Sequence, residues 1–459
     1  MLQMGLFTST KLSDYMLDPR GLPNLIPMLR LSIVVIIGII VSRLLIGYIT
    51  PMEWCGAAVV MCILAAFAER LPRIGSVMVW IAVFYVGAFL YSARIANNPE
   101  LLHAQSYEYK YQHEDEDANP VVNKLREWRA TVVNELRDSG ATDDALAVTS
   151  AMTMGDKSML SRKTKTLFSI AGASHILALS GMHIGIIVLI LNTILGRRRR
   201  RRKQVLSSIL ILLAVWFYLL FVGMPLSAVR AAVMLTTWTL VNLFRRNQHP
   251  LNVLGTAALI TILISPTAVF DVGFQLSYIA VLFIFICVPY FESCNPWKIV
   301  KSYSKPYSDS WRGKEMERKR AVYRLRKLWQ WFWSLMSVSV AAQLGTAPLV
   351  AYYFGRFSCF FLITNIIVIP LAFLLIIMML IAIVGILSGC SMLLGAGVWL
   401  INTLACALNT SVGWVSGLPG ASIERIELNV IQLILIYFAI GGMMYIVSLL
   451  RFKLPEPES

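Results

Sequence analysis

His175-Ile-Leu-Ala-Leu-Ser180-Gly181-Met-His183-Ile-Gly185-Ile-Ile-Val-Leu-Ile-Leu-Asn192-Thr-Ile-Leu195-Gly-Arg197-Arg-Arg-Arg-Arg-Arg202-Lys203 decides the fold. From about 174 to 195 it is an apolar run of bilayer length, about 20 residues. It then stops at seven consecutive bases, a strong mark of a cytoplasmic helix end. Similar runs recur along the chain. The predicted fold is therefore an all-α polytopic membrane protein with ten to twelve transmembrane helices and additional amphipathic interfacial helices. Serine, histidine, arginine and glutamine inside such segments are costly. They face a cavity, a partner helix or a permeating substrate.

Composition agrees. The chain has 459 residues, of which 57% are hydrophobic and only 14% charged; a soluble domain carries about 25% charge. The net charge of +16 first suggests cytoplasmic loops and anionic lipid, and only then nucleic acid. Seven cysteines form no C-x-x-C pair and read as packing residues, not as a disulfide frame or a zinc site. The start of the sequence is polar and proline-bearing, so a cleavable signal is not expected.

Further spans are expected at about 29–49, 52–68, 75–94, 204–223, 226–244, 250–265, 272–291, 335–354, 359–388, 391–416 and 430–450. The stretch 359–388 is long and contains Pro370, which predicts a broken or re-entrant element. Counting crossings puts every strongly basic loop on one side, including Arg245-Arg246 and the loop 293–333. That side is the cytoplasm, with both termini. The region 96–173, with Glu114-Asp115-Glu116-Asp117, falls outside. The expected organisation is N-terminal membrane helices over 1–95, an external helical segment over 96–173, a larger membrane domain over 174–451 and a short tail over 452–459. Two amphipathic helices are expected, at 120–138 (with Arg129 the polar interruption of its apolar face) and at 314–333.

Several polar residues invite a functional reading, each with a plainer one beside it. Gly181 and Gly185 make a small-xxx-small pair suited to close helix packing. Ser180 and His183 could be a nucleophile and its base, but no acid or metal set accompanies them, and a place at the mouth of a wet channel is preferred. His175 lies eight residues before His183, hence on a similar face, yet two histidines make a poor metal site. Arg230 is either a snorkelling anchor or a cation aimed at a phosphate. Gln275, Ser277, Gln343 and Asn365 could each only bridge helices. Spread over four helices together with Pro370, they suggest a shared polar interior.

These blocks together resemble the ComEC family of bacterial competence proteins. The likeness is carried by Ala147–Ser161 with Met-Gly-Asp-Lys-Ser, and by Gly172–Gly185 with its Ser-Gly-x-His-x-Gly. It continues in Gly223–Met234 with Arg-Ala-Ala-x-Met, Pro266–Ala280 with Gly-Phe-Gln-Leu-Ser, and Ala341–Pro370 with Ala-Gln-Leu-Gly-Thr-Ala-Pro. It covers about 140–390, the family's membrane competence domain. There is no room after the third span for an oligonucleotide-binding barrel, and no nuclease motif follows the last. The resemblance makes 174–451 a competence-type channel domain and implies a compact channel that imports transforming single-stranded DNA across the bacterial inner membrane. His175, Ser180, His183, Arg230, Gln275, Ser277, Gln343 and Asn365 are the candidate lining. It also implies an external DNA receptor and a cytoplasmic ATP-driven DNA translocase as partners, anionic lipid as surroundings, and no catalytic residue, cofactor or metal. Oligomeric state is left open. The alternative is a membrane-embedded hydrolase or small-solute transporter on the same scaffold.

Overall fold

The computed structural model describes residues 26–68, 72–102, 120–196, 201–244, 249–295 and 314–452. Among them the chain is almost entirely helical. The helices are α1 (Pro27–Leu44), α2 (Pro51–Phe67), α3 (Pro72–Asn97), α4 (Pro120–Asp138), α5 (Asp143–Thr153), α6 (Arg162–Ile170), α7 (Ser174–Leu177) and α8 (Gly181–Leu195). There follow α9 (Arg201–Val222), α10 (Leu226–Leu243), α11 (Pro250–Ile264), α12 (Val272–Ser293), α13 (Lys314–Phe354), α14 (Phe361–Ser388), α15 (Ser391–Ser416) and α16 (Val430–Phe452). Strands β1 (Arg356–Ser358) and β2 (Ser422–Glu424) pair antiparallel, with Phe357 opposite Ile423.

Eight of the described helices are long and apolar enough to cross a membrane. Four shorter apolar ones accompany them: Pro51–Phe67, Gly181–Leu195, Pro250–Ile264 and Val430–Ile446. Large apolar side chains stand bare along them, such as Phe67 at 83% exposure, Leu213 at 62% and Phe438 at 76%. Water would penalise that surface, whereas lipid accepts it. The protein is thus an all-α polytopic membrane protein, as expected. Local signals set the helix starts. At α2, Thr50 accepts the Glu53 N–H (3.4 Å) while the Glu53 carboxylate accepts the Thr50 N–H (2.7 Å). Pro51 takes the first position, where no N–H is required.

Three boundaries differ from the sequence expectation. The span 174–195 is not one helix. It breaks after α7, with Ala178 and Ser180 extended, and α8 restarts at Gly181. Continuous apolarity hid a helix start. At 15 residues α8 is about 22 Å long, short of the ~30 Å hydrocarbon layer. Conversely, 359–388 is not broken: α14 runs through Pro370, because one missing N–H is tolerated in an otherwise intact apolar helix. The amphipathic helix 314–333 and the span 335–354 are one continuous α13 of 41 residues, about 61 Å. No glycine or proline separates Trp329-Gln-Trp-Phe-Trp333 from Leu335, so nothing stops the helix there.

The described residues fall into two compact units. One unit draws on Pro19–Val132 and Leu179–Tyr278. In it α1 crosses α3 at bare backbone: a Cβ at Gly38 would run into the Phe84 carbonyl, and one at Gly87 into the Val35 carbonyl. A Cβ at Gly255 of α11 would sit 2.5 Å from Leu29 Cα. Beside it, Asn252 Oδ1 accepts the Met28 N–H at 3.2 Å. Leu179, Ile184, Val215, Leu219 and Ala232 form the core where α8, α9 and α10 meet.

The other unit draws on Val133–Ala178 and Ile279–Ser459. Its centre is the α14–α15 hairpin, where Gly397 faces Ala382 and Gly385 faces Leu394. Helix α5 packs on both and is buried at every residue from Ala145 to Thr153. Ala145, Ala147 and Ala151 allow the close approach, and Leu146 and Met152 fill the core around it. Asn402 of α15 fixes the entry to α5: its Oδ1 accepts the Thr142 N–H and its Nδ2 donates to the Gly140 carbonyl, each at 3.0 Å. Tyr437 of α16 donates to the Gly345 carbonyl of α13 at 2.7 Å. Arg356 of β1 pairs with Glu424 of β2 at 2.9 Å and donates to Ser169 Oγ at 3.1 Å. The acidic run Glu114–Asp117, residues 69–71, the cap Asn119, Arg197–Arg200, Arg245-Arg246 and 296–313 lie outside the described residues.

Candidate functional site

The start of α8 carries the densest polar motif. Ser180 is its N-cap, and its backbone N–H donates to His183 Nδ1 at 3.0 Å. His183 thus fills the position that glutamate has in a capping box. Ser180 Oγ also lies 3.0 Å from Nδ1. The His183 side chain is buried at 1% exposure, not open at a wet mouth as expected. Ser227 Oγ of α10 donates to the Leu179 carbonyl at 2.6 Å, holding this turn against α10. There a Cβ on Gly181 would lie 3.1 Å from Ala231 Cβ, whereas one on Gly185 would meet nothing within 4 Å. The close approach is confined to the first turn. Among the described residues the packing contact is therefore seen at Gly181. Gly181→Leu is expected to cost about 1–3 kcal/mol by overpacking. Gly185→Leu should change the thermal midpoint of the purified protein little. Equal losses would contradict the contact.

Next to Ala231, the neighbour of Gly181, stands Arg230. It does not snorkel: it is buried at 6% exposure, and its Nη1 lies 3.5 Å from Asp271 Oδ1. That carboxylate also accepts the Phe274 N–H at 2.7 Å, so Asp271 is the N-cap of α12. Gly273 in the first turn makes the room. A Cβ there would come within 3.0 Å of both Arg230 Nη2 and Asp271 Oδ1. Sequence reading found Arg230, Gln275 and Ser277 but missed Asp271 and the purpose of Gly273. The available signal was an acid directly ahead of Gly273-Phe-Gln-Leu-Ser277 at the start of a span. Gln275 Nε2 donates to the Val269 carbonyl at 3.0 Å, and Ser277 is half-buried on the same helix.

Arg129, the odd polar residue of α4, is explained by what it reaches. Its Nη1 donates to the Val222 carbonyl at 3.1 Å, at the C-terminus of α9, where positive charge is favoured. That helix ends with Met224 N–H on the Leu219 carbonyl (2.8 Å) and Gly223 N–H on the Leu220 carbonyl (3.2 Å). This is the Schellman pattern. Gly223 (φ 89°) suits it; Met224 (φ 55°) is a strained non-glycine immediately before the helix that carries Arg230.

The remaining candidates belong to the other unit. His175 is exposed on α7, and the break before α8 removes the shared face once expected with His183. Gln343 is half-buried within α13, and Pro370 within α14. Asn365 is 8% exposed near the start of α14, and its Oδ1 is buried without a hydrogen-bond partner. Among the described residues no three or more of His, Cys, Asp and Glu gather in a way that could hold a metal ion.

The sequence profile of the family described as Competence protein matches residues 152–450, from the end of α5 through α16. The chain belongs to the competence protein family. A curated relative, ComE operon protein 3 of Bacillus subtilis (strain 168), is 26% identical over 227 residues. That stretch is 50% of this chain and 25% of the relative, so the match spans only a quarter of that protein's length. No solved structure matches the chain. Ser180, Arg230, Asp271, Gln343 and Asn365 of this competence protein all lie inside the family match. The resemblance to the ComEC proteins read from the motifs agrees with both findings.

Proposed function

We propose that this competence protein acts in DNA uptake, as a channel that passes single-stranded DNA through the bacterial inner membrane. The family match over 152–450 is the observation that carries the reading. Physical chemistry supports it: hydrocarbon excludes a polyanion, so the protein must supply a polar, cationic path. Arg230 is a buried cation within that match. Contact with backbone phosphate requires no base readout, as in other single-strand grooves. The pulling energy then comes from a cytoplasmic ATP-driven translocase, and capture of DNA from an external receptor. By the positive-inside count the termini are cytoplasmic and 96–173 is external. A single cysteine at position 115 should react with a membrane-impermeant label in intact cells, and silence there would reverse the orientation. The function is tested by deleting the gene in its host and measuring DNA bound outside and DNA protected inside separately. Outside binding should persist and inside arrival should vanish; unimpaired arrival would end the reading.

A second reading, an intramembrane hydrolase, has one observation in its favour: the 3.0 Å approach of Ser180 Oγ to His183 Nδ1. A general base needs that nitrogen's lone pair, which the Ser180 N–H already engages at 3.0 Å. We therefore propose no catalytic role. Ser180→Ala should retain DNA uptake within about threefold of wild type, the scale of one neutral hydrogen bond. The wild type should stay unlabelled by a serine-directed fluorophosphonate. Labelling lost in Ser180→Ala would favour the hydrolase.

A further inference from the structure

Arg230 and Asp271 meet without a close hydrogen bond between them. Among the described residues the Arg230 Nε is buried with no hydrogen-bond partner, and the carboxylate oxygen at 3.5 Å is outside good hydrogen-bonding distance. A guanidinium offers five N–H donors in a planar fork that fits two-oxygen anions. Asp271 is held more closely by the Phe274 N–H, at 2.7 Å, than by the arginine. Gly273 lets the fork lie against the first turn of α12, a 22-residue helix whose N-terminus itself favours an anion. Two anion-attracting groups thus converge on one position. The oxygen filling it belongs to the protein's own Asp271.

We propose that Asp271 is a tethered competitor for phosphate: it occupies the anion position at Arg230 and is displaced by a translocating phosphodiester. The proposal rests on the reading of Arg230 as a phosphate contact and adds how that contact is kept selective. A tethered carboxylate competes at an effective concentration of order millimolar or more. A lone small anion must overcome that alone. A polynucleotide presents phosphates in succession, so loss of one contact is followed by the next. Displacement leaves the carboxylate on the Phe274 N–H, so it is not stranded without a partner.

Asparagine caps a helix as well as aspartate does. Asp271→Asn therefore removes the competing charge, keeps the cap and leaves a neutral oxygen acceptor beside the buried guanidinium. The test uses the purified full chain in nanodiscs of phosphatidylethanolamine and phosphatidylglycerol. Its readout is the anisotropy of a fluorescent oligothymidylate, with inorganic phosphate as competitor. Asp271→Asn should tighten oligonucleotide binding about tenfold, in the ordinary range for coupled ligands, and should make binding sensitive to inorganic phosphate where wild type is not. Asp271→Ser, also a good cap, serves if the first variant does not fold. Unchanged affinity and unchanged phosphate sensitivity in a folded variant overturn the competitor role. Oligonucleotide binding that does not change in Arg230→Met, Asp271→Asn overturns the phosphate contact itself, and the competitor with it.

Discussion

Arg230→Ala is expected to be the most damaging single change in this protein. It takes the cation from Asp271, a carboxylate only 14% exposed that keeps the Phe274 N–H but loses its charge partner, and removing one partner of a buried ion pair costs about 3–5 kcal/mol. A large share of a typical folding free energy of about 5–15 kcal/mol would go with it, so the variant should accumulate poorly and pass no DNA. The folding and transport roles separate in the double variant Arg230→Met, Asp271→Asn. No bare charge remains there, and the substituted asparagine still caps α12. Immunoblots of membranes should show accumulation restored, while DNA taken into the cytoplasm stays at background. Recovered uptake in the double variant would reduce Arg230 to a structural residue.

The α1–α3 crossing is the second place where a small change should be severe. At Gly87 an added Cβ would run into the Val35 carbonyl and come within 3.0 Å of Val35 Cα; at Gly38 it would run into the Phe84 carbonyl. The obstacles are backbone atoms, which cannot rotate away as a side-chain end does. Gly87→Val should therefore exceed the ordinary overpacking cost of about 1–3 kcal/mol and force the helices apart. Gly56→Val, on α2 with nothing within 4 Å, is the matched control. Size-exclusion profiles in detergent should show aggregation for the first and a normal peak for the second. Matching profiles would mean that the crossing yields more easily than its geometry implies.

What the sequence disclosed, and what it hid, follows from the physics of each residue. Apolar length and positive loops are additive along the chain, so the membrane class and most span positions were legible. Local conformation was legible only where a residue has a strong preference. Ser180 as a helix cap was overlooked because the apolar run continues on both sides of it. Pro370 was read as a break because, in water, proline usually makes one. Pairings between distant segments were the least accessible. Arg230 attracts notice as a charge in an apolar helix, but nothing local joins it to Asp271, 41 residues on. The role of Gly273 appears only when the guanidinium is seen beside it. The same holds for Arg129, whose reach to the Val222 carbonyl turns an apparent flaw in an amphipathic face into a helix C-cap.

On the proposed function, the transported strand touches the polar helix starts of this chain. A photo-crosslinking amino acid at Ser277, half-buried on the helix that Asp271 caps, tests it in living cells. The control is the same label at Leu263, 58% exposed on α11. Transforming DNA is stalled in transit by a protein block on its trailing end, and the cells are irradiated. Adducts between chain and strand should form at position 277 and not at 263. Adducts at both positions alike, or at neither while DNA still enters, would contradict passage through this protein.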